Sequence, residues 1–209
     1  VDLVDLIVGS EGIFGLITSA TFRLKEMPKE FLDLFFNLPS EMNAVKFHKF
    51  ISNYYKGDLS QITALEYFGY NCQTYMDHKE ELFDNSSEVG IYLQIPLYNH
   101  TVEEIAEGWL NILVNSNCGI NVERILLLND PRNWRTFFEA RHSIPSNALK
   151  KTRQLDTWSI LTDTIVPPEN FQELLDSAHV FLQESEIEYL LFGHLGDCHL
   201  HFHMIPSKD

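Results

Sequence analysis

The sequence predicts an α+β fold, with ferredoxin-like units forming one large, mostly antiparallel sheet covered by helices. Three observations point to it. Strand-like and helix-like stretches alternate along nearly the whole chain. The strands are amphipathic, as in Phe31-Leu32-Asp33-Leu34-Phe35 and Gly90-Ile91-Tyr92-Leu93-Gln94, whereas parallel strands buried on both faces would be almost wholly apolar. With 44% hydrophobic and 12% aromatic residues, the chain can bury a sizeable core and lies far from the disordered class. Polar residues within the strands fit a sheet covered by helices on one face.

Val1 to Val8 alternates like a strand. Gly9-Ser10-Glu11-Gly12-Ile13-Phe14-Gly15 follows as a loop, and Leu16 to Leu24, rich in Ile, Thr and Phe at period two, reads as a second strand ending before Met27-Pro28. Phe31 to Leu38 is a strand. Ser40 caps a helix carrying Met42, Val45, Phe47 and Phe50, and Ile62 to Phe68 is the returning strand. A short irregular helix near Tyr75 to Phe83 leads into strand Val89 to Leu97. Thr101-Val102-Glu103-Glu104 is a capping box opening a helix to about Asn115, and Val122 to Leu128 closes this unit as a strand. Asp130-Pro131 starts a helix, with Asp as cap and Pro in the first turn, that carries Trp134, Phe137, Phe138 and Arg141 to about Leu149. Strand Trp158 to Val166 comes next, then a helix opened by Pro167-Pro168-Glu169 with Phe171, Leu174, Leu175, Ala178 and Leu182 at helical spacing. Strands Glu188 to His194 and Cys198 to Ile205 form a closing hairpin. The strand-like start without an initiator Met, and the end without a closing helix, suggest a piece of a longer polypeptide.

Lys and Arg number 15 against 30 Asp and Glu, a formal charge of −15. The longest basic cluster is Lys150, Lys151 and Arg153, which argues against nucleic acid and anionic membrane surfaces as partners. No apolar run approaches the roughly 20 residues of a membrane span, and the first residues lack a signal peptide's basic start. Cys72, Cys118 and Cys198 show no CxxC spacing and suit free thiols in the cytosol or an organelle matrix. The expectation is a soluble, cytoplasmic or organelle-matrix protein, monomeric or homodimeric.

Chemistry concentrates in His194-Leu195-Gly196-Asp197-Cys198-His199-Leu200-His201-Phe202-His203. With a tight turn at Gly196-Asp197-Cys198, His194 and His201 converge from two strands, while His199, His201 and His203 share one face at period two. Neutral imidazoles so placed suit a divalent metal of the zinc kind, with Asp197 as a nearby carboxylate. An ordinary hairpin with partly exposed histidines has the same spacing, and His199 and His203 individually read as bystanders or supporting residues. The glycine loop leaves backbone N–H groups uncovered, so it can lie against phosphate or a flat ring; viewed alone, a glycine-rich hairpin turn explains it better. Arg141 beside its aromatics either clamps a carboxylate or is a solvated helix residue. His142 is a surface residue or a helix-end partner. Asp163, inside a strand, faces solvent or anchors a loop, without a catalytic role.

Taken together, these segments resemble the FAD-linked oxidase family of the vanillyl-alcohol-oxidase type, in the branch of D-lactate, glycolate and D-2-hydroxyglutarate dehydrogenases. Gly193-His194-Leu195-Gly196-Asp197-Cys198-His199-Leu200-His201 is similar to that branch's GHxGDGNLH, and Val8-Gly9-Ser10-Glu11-Gly12-Ile13-Phe14-Gly15-Leu16-Ile17-Thr18 to its GSEGTLGIIT. Arg141 with Ile144-Pro145, then Asp163-Thr164-Ile165-Val166-Pro167, resembles its Arg-containing helix and D-V-x-V-P strand.

By that resemblance, residues 1–27 are the C-terminal edge of an FAD-binding domain and residues 28–209 a substrate-binding cap domain, incomplete at its C-terminus. Gly9, Ser10, Glu11, Gly12 and Gly15 inherit a contact to FAD, His194 and His201 match two metal-binding histidines, and Arg141 would grip the carboxylate of a small 2-hydroxy acid. His203 stands where the family usually has a substrate-side Asn. The implied reaction passes a hydride from the hydroxy acid to the flavin, with zinc as the metal; the family's third metal ligand and its base, a Glu-His pair, lie downstream of this segment, and the motifs name no electron acceptor. Cys198-His199 replaces the family's Gly-Asn, and a cysteine there strains a turn that needs positive φ. Leu161 stands where some 2-hydroxyglutarate enzymes carry a lysine, which weighs against a dicarboxylate. The competing readings are a non-catalytic cap-like domain that has lost the flavin site and a free-standing metal-binding protein.

Overall fold

The computed structural model describes residues 2–207. Among these, seven strands form one antiparallel sheet in the order β4-β1-β3-β2-β6-β7-β5. The first unit is β1 (Glu30–Leu38), α2 (Glu41–Tyr54), β2 (Ala64–Phe68), β3 (Val89–Leu97), α4 (Val102–Asn115) and β4 (Leu126–Leu127). Its spatial order β4-β1-β3-β2 is the ferredoxin-like one expected. After α5 (Pro131–Gln154), β5 (Ile160–Ile165), α6 (Phe171–Glu184), β6 (Glu188–His194) and β7 (His199–Ile205) repeat the scheme, β5-β7-β6 matching β1-β3-β2. The units share one sheet because β2 pairs with β6, Tyr67 opposite Gly193.

The helices begin where side chains satisfy their free N–H groups. Ser40 Oγ accepts from Asn43 N–H at the start of α2, Thr101 and Glu104 form the reciprocal capping box of α4, and Asp130 accepts from the Arg132 and Asn133 N–H groups ahead of α5.

Helices cover both faces of the sheet, not one. On the first face Phe47 and Ile51 of α2, Trp109 and Leu113 of α4, and Phe171 and Leu175 of α6 pack over Phe36, Leu65, Ile91, Leu93, Leu191 and Leu200. Phe35, Phe68, Tyr92 and Leu190 point to the second face, and so much apolar area needs its own cover. It comes from Phe137, Ala140, Ile144 and Ala148 of α5, and from a 3-10 turn (Cys72–Tyr75) and short α3 (Lys79–Leu82).

The start of the chain departs from expectation. Leu3–Ile7 is a one-turn helix, α1, because the Asp2 carboxylate accepts the Val4 N–H as an N-cap; Val1 lies outside the described residues. Leu16 to Leu24 forms no regular element and stays exposed, Leu16 at 92%. A period-two stretch becomes a strand only when another strand takes its hydrogen bonds. Likewise Val122 to Leu128 is mostly not a strand, since the Asn121 side chain accepts the Glu123 N–H, turns Val122–Arg124 into a 3-10 helix and leaves two residues for β4.

Candidate functional site

The β6–β7 hairpin is built around a close approach. A Cβ on Gly193, at φ +151°, would stand 2.4 Å from the His199 carbonyl oxygen, so only glycine lets the two backbones meet here. The turn carries Cys198 at φ +55°, the left-handed conformation expected to strain a cysteine. Its buried Sγ lies 3.7 Å from His48 Nε2 of α2, and the same ring lies 3.3 Å from the Gly196 carbonyl, tying the turn to the core. Burial holds His48 below the ordinary histidine pKa, which favours the uncharged ring.

Register places the chemistry. His194 stands opposite His199 and Glu66, and His201 opposite Asp163 and Phe192. Across β2 and β6, Glu66 Oε1 lies 2.7 Å from His194 Nδ1, while Glu66 Oε2 accepts from Arg141 Nη2 of α5 at 3.1 Å. Across β5 and β7, His201 Nδ1 is hydrogen-bonded to Asp163. A carboxylate only accepts, so each Nδ1 carries a proton, and in its neutral form each ring has its lone pair on Nε2. Donor atoms of Asp163, His199 and His201 lie within 4.8 Å of one another.

Arg141, His194 and His201 line one hollow of about 270 Å³ with Glu66, Phe68, His142, Ile144, Pro145, Phe192 and Gly193. Pro145 inside α5 has no N–H for the Arg141 carbonyl, which frees that oxygen beside the hollow. His142 turns back on its own helix, with Nδ1 2.8 Å from the Phe138 carbonyl and its ring 4.0 Å from that of Phe138. A second hollow, about 360 Å³, shares Glu66 and His194 and adds Leu59, Ile62, Leu65 and Asp197.

The remaining expected residues fall elsewhere. His203 is buried on β7 with Nε2 2.5 Å from Ser159 Oγ and does not line either hollow; burial lowers its pKa, and its Nδ1 has no hydrogen-bond partner. The carboxylate beside the histidines of β7 is Asp163, not the turn's Asp197. Gly9, Glu11, Gly12 and Gly15 lie on an exposed loop whose hydrogen bonds, such as Ile13 N–H to the Ser10 carbonyl, are internal turns. Glu66 escaped the sequence reading; its one signal was a lone carboxylate in the strand Ala64-Leu65-Glu66-Tyr67-Phe68. Another hollow, about 670 Å³, contains Glu41 and His179, but Glu41 is consumed by Tyr67, the Tyr70 N–H and His179.

Residues 73–208 match the family model of the FAD linked oxidases, C-terminal domain. The chain belongs to this family. The D-2-hydroxyglutarate dehydrogenase, mitochondrial, of Rattus norvegicus is 23% identical over 205 residues, covering 97% of this chain and 36% of the dehydrogenase. Two solved structures of alkyldihydroxyacetonephosphate synthase, in P1 and P212121 crystals, superpose with TM-scores of 0.61 and 0.58 at 16% and 15% identity. They cover 98% and 100% of this chain and 42% and 41% of the synthase, and share the FAD-linked oxidase fold. The chain thus spans well under half the length of each relative. Among the described residues no helix is long and apolar enough to cross a membrane.

Proposed function

We propose that this chain is the substrate-holding part of an FAD-dependent oxidoreductase that oxidises a small 2-hydroxy acid, with a divalent metal at His194 and His201 and Arg141 on the acid's carboxylate. The observation that carries this reading is that Arg141, His194 and His201, from a helix and two strands, line one hollow.

The donor chemistry fits an ion such as zinc: two imidazoles, each with Nδ1 held by a carboxylate, present Nε2. Such an ion supplies Lewis acidity toward the hydroxyl and carboxylate oxygens of the acid. Glu66 acts as a strut, holding Arg141 with one oxygen and His194 with the other. Of the five N–H donors of Arg141, Glu66 takes one, which leaves a two-point grip for a substrate carboxylate. Phe68, Ile144 and Phe192 wall the hollow and limit water. Arg141 is the one Lys or Arg lining it, and Leu161 lies outside it, 57% exposed, so a monocarboxylic acid suits it better than a dicarboxylate.

FAD supplies the hydride acceptor when bound. This chain's contribution toward it is Gly9, Ser10, Glu11, Gly12 and Gly15, yet an added Cβ on any of these glycines would meet nothing within 4 Å. The loop builds no flavin cradle by itself, and the chemistry of the described residues is confined to holding the acid. Three free, buried cysteines suit a reducing compartment, cytosol or organelle matrix.

The test is anaerobic mixing of the native polypeptide carrying this segment with a panel of 2-hydroxy acids, followed through the oxidised-flavin absorption. Bleaching by a monocarboxylic member is expected, with kcat/KM lowered about 10- to 150-fold by Arg141→Gln, the worth of a charged hydrogen-bond pair. A colourless protein, or a flavin no 2-hydroxy acid reduces, refutes the reading and leaves a non-catalytic cap-like domain.

A further inference from the structure

We infer that His199 is a metal ligand, a third imidazole beside His194 and His201 in the β6–β7 hairpin. This rests on the proposed metal at His194 and His201 and adds one side chain to its protein ligands.

The three rings form a nearly equilateral triangle, with centroids 5.5 Å apart for His194 and His199, 5.2 Å for His194 and His201, and 5.0 Å for His199 and His201. A ring bound through nitrogen at about 2.05 Å has its centroid roughly 3.2 Å from a zinc ion, and tetrahedral directions then separate two centroids by about 5.2 Å. The centroids have that spacing before any ion is added, while the donor atoms already within 4.8 Å of one another are those of Asp163, His199 and His201, so the His194 ring must turn to join them. Strand pairing by itself accounts for the His194–His199 spacing, since the two stand directly opposite, but not for the His199–His201 one, because side chains two residues apart on one strand start about 6.6 Å apart. His199 and His201 lean toward each other by more than an ångström from that spacing, and their nitrogens share a 4.8 Å group with an Asp163 oxygen.

The surroundings are those of a site rather than of three unrelated histidines. Glu66 and Asp163 hold the Nδ1 atoms of His194 and His201, which orients two of the rings. His199 Nε2 lies 4.0 Å from Asp163 and makes no closer polar contact with it, so its ring can turn toward an ion without breaking a strong bond. All three side chains reach solvent, at 44%, 28% and 19% exposure for His194, His199 and His201. Three imidazoles would supply a set of nitrogen ligands like that of metal sites that also take a substrate oxygen.

The experiment strips the native protein with a chelator and titrates it with Zn2+ in competition with a chromophoric chelator, for the wild type, His199→Gln, His194→Gln and His201→Gln. In parallel, 15N spectra of the wild-type histidine rings record which nitrogens respond to Zn2+. The expected result is a loss of more than about 100-fold in zinc affinity for His199→Gln, beyond the 10- to 100-fold that a merely supporting residue costs, with the wild-type His199 ring shifting on zinc addition. A smaller loss, or an unmoved His199 ring while the His194 and His201 substitutions abolish binding, overturns the inference and leaves the two-histidine site standing. A wild type that binds no zinc overturns both. His199 lies on a partly exposed strand face, and the wild-type ring spectra decide the matter even if the variant folds poorly.

Discussion

Replacing Glu41 by alanine removes the acceptor of several donors at once. Glu41 Oε1 accepts from the Tyr67 hydroxyl and, at 3.1 Å, from the Tyr70 N–H; Oε2 meets His179 Nε2, whose Nδ1 lies 2.6 Å from the Tyr189 hydroxyl. One carboxylate thereby joins α2, β2, α6 and, through His179, β6. Tyr67 is 0% exposed, so its orphaned hydroxyl alone costs about 1–3 kcal/mol. Losing the half-buried partner of His179 as well brings the expected cost of Glu41→Ala to about 3–4 kcal/mol. Glu41→Gln keeps one acceptor oxygen and should cost about 1–2 kcal/mol. The difference of about 2 kcal/mol is a factor of roughly 30 in local opening, readable as hydrogen exchange of the α2, β2 and α6 amides. Burial opposes the charge on Glu41, but hydrogen bonds from His179 and Tyr67 outweigh it and hold its pKa below the usual 4.5. With a depressed folded pKa, the contribution is complete above about pH 4.5 and fades as the pH falls through the folded value. Protection of these amides should therefore decline in acid in the wild type and not, from this cause, in Glu41→Gln. A cost below about 1 kcal/mol for alanine, or equal costs for alanine and glutamine, would refute the reasoning.

Gly193→Ala places a Cβ 2.4 Å from the His199 carbonyl oxygen at a φ of +151°, so it should lower the melting temperature and weaken zinc binding together; an unchanged melt contradicts the close approach. Phe137, 1% exposed, has its ring 4.9 Å from Tyr92, 5.5 Å from Phe35 and 6.0 Å from Phe68, so Phe137→Ala should cost about 3–5 kcal/mol in denaturant unfolding and Phe137→Leu much less. Burial, aided by Asp197, pushes the Cys198 thiol up to about 12, and burial raises Cys72 and Cys118 as well. None of the three should react with a disulfide reagent at pH 8 until the protein unfolds; labelling of the native protein at the free-thiol rate would show otherwise.

What the sequence disclosed of the fold follows how local each signal is. Strand Val89–Leu97 and helix Val102–Asn115 were readable to the residue, because alternation and the Thr101–Glu104 box act within a few positions. The ferredoxin-like order followed from short connections between successive elements. Leu16 to Leu24 misled for the opposite reason: its alternation describes what a strand would look like and says nothing of a partner. The second helical layer was hidden in Phe35, Phe68, Tyr92 and Leu190, single residues on separate strands that become one apolar surface only after β1, β2, β3 and β6 are aligned.

The site divides along the same line. Arg141, His194 and His201 stand out because they lie in recognisable short motifs, and the period of two brings the histidines of β7 to one face without knowledge of the rest. Glu66 and Asp163, which fix the tautomers of His194 and His201, lie 128 and 38 positions from the rings they hold. No local pattern connects them. They are selected by register alone, Glu66 opposite His194 and Asp163 opposite His201. A slip of one residue between β2 and β6, or between β5 and β7, would turn either carboxylate to the other face of the sheet and leave its histidine free to take either tautomer. Gly193 guards against that slip at the centre of the sheet: it pairs with Tyr67 on one side and Leu200 on the other, and no side chain fits in its place. The glycine next to His194 therefore does more for the site than fill a motif, since it holds the strand pairing that gives both histidines their carboxylates.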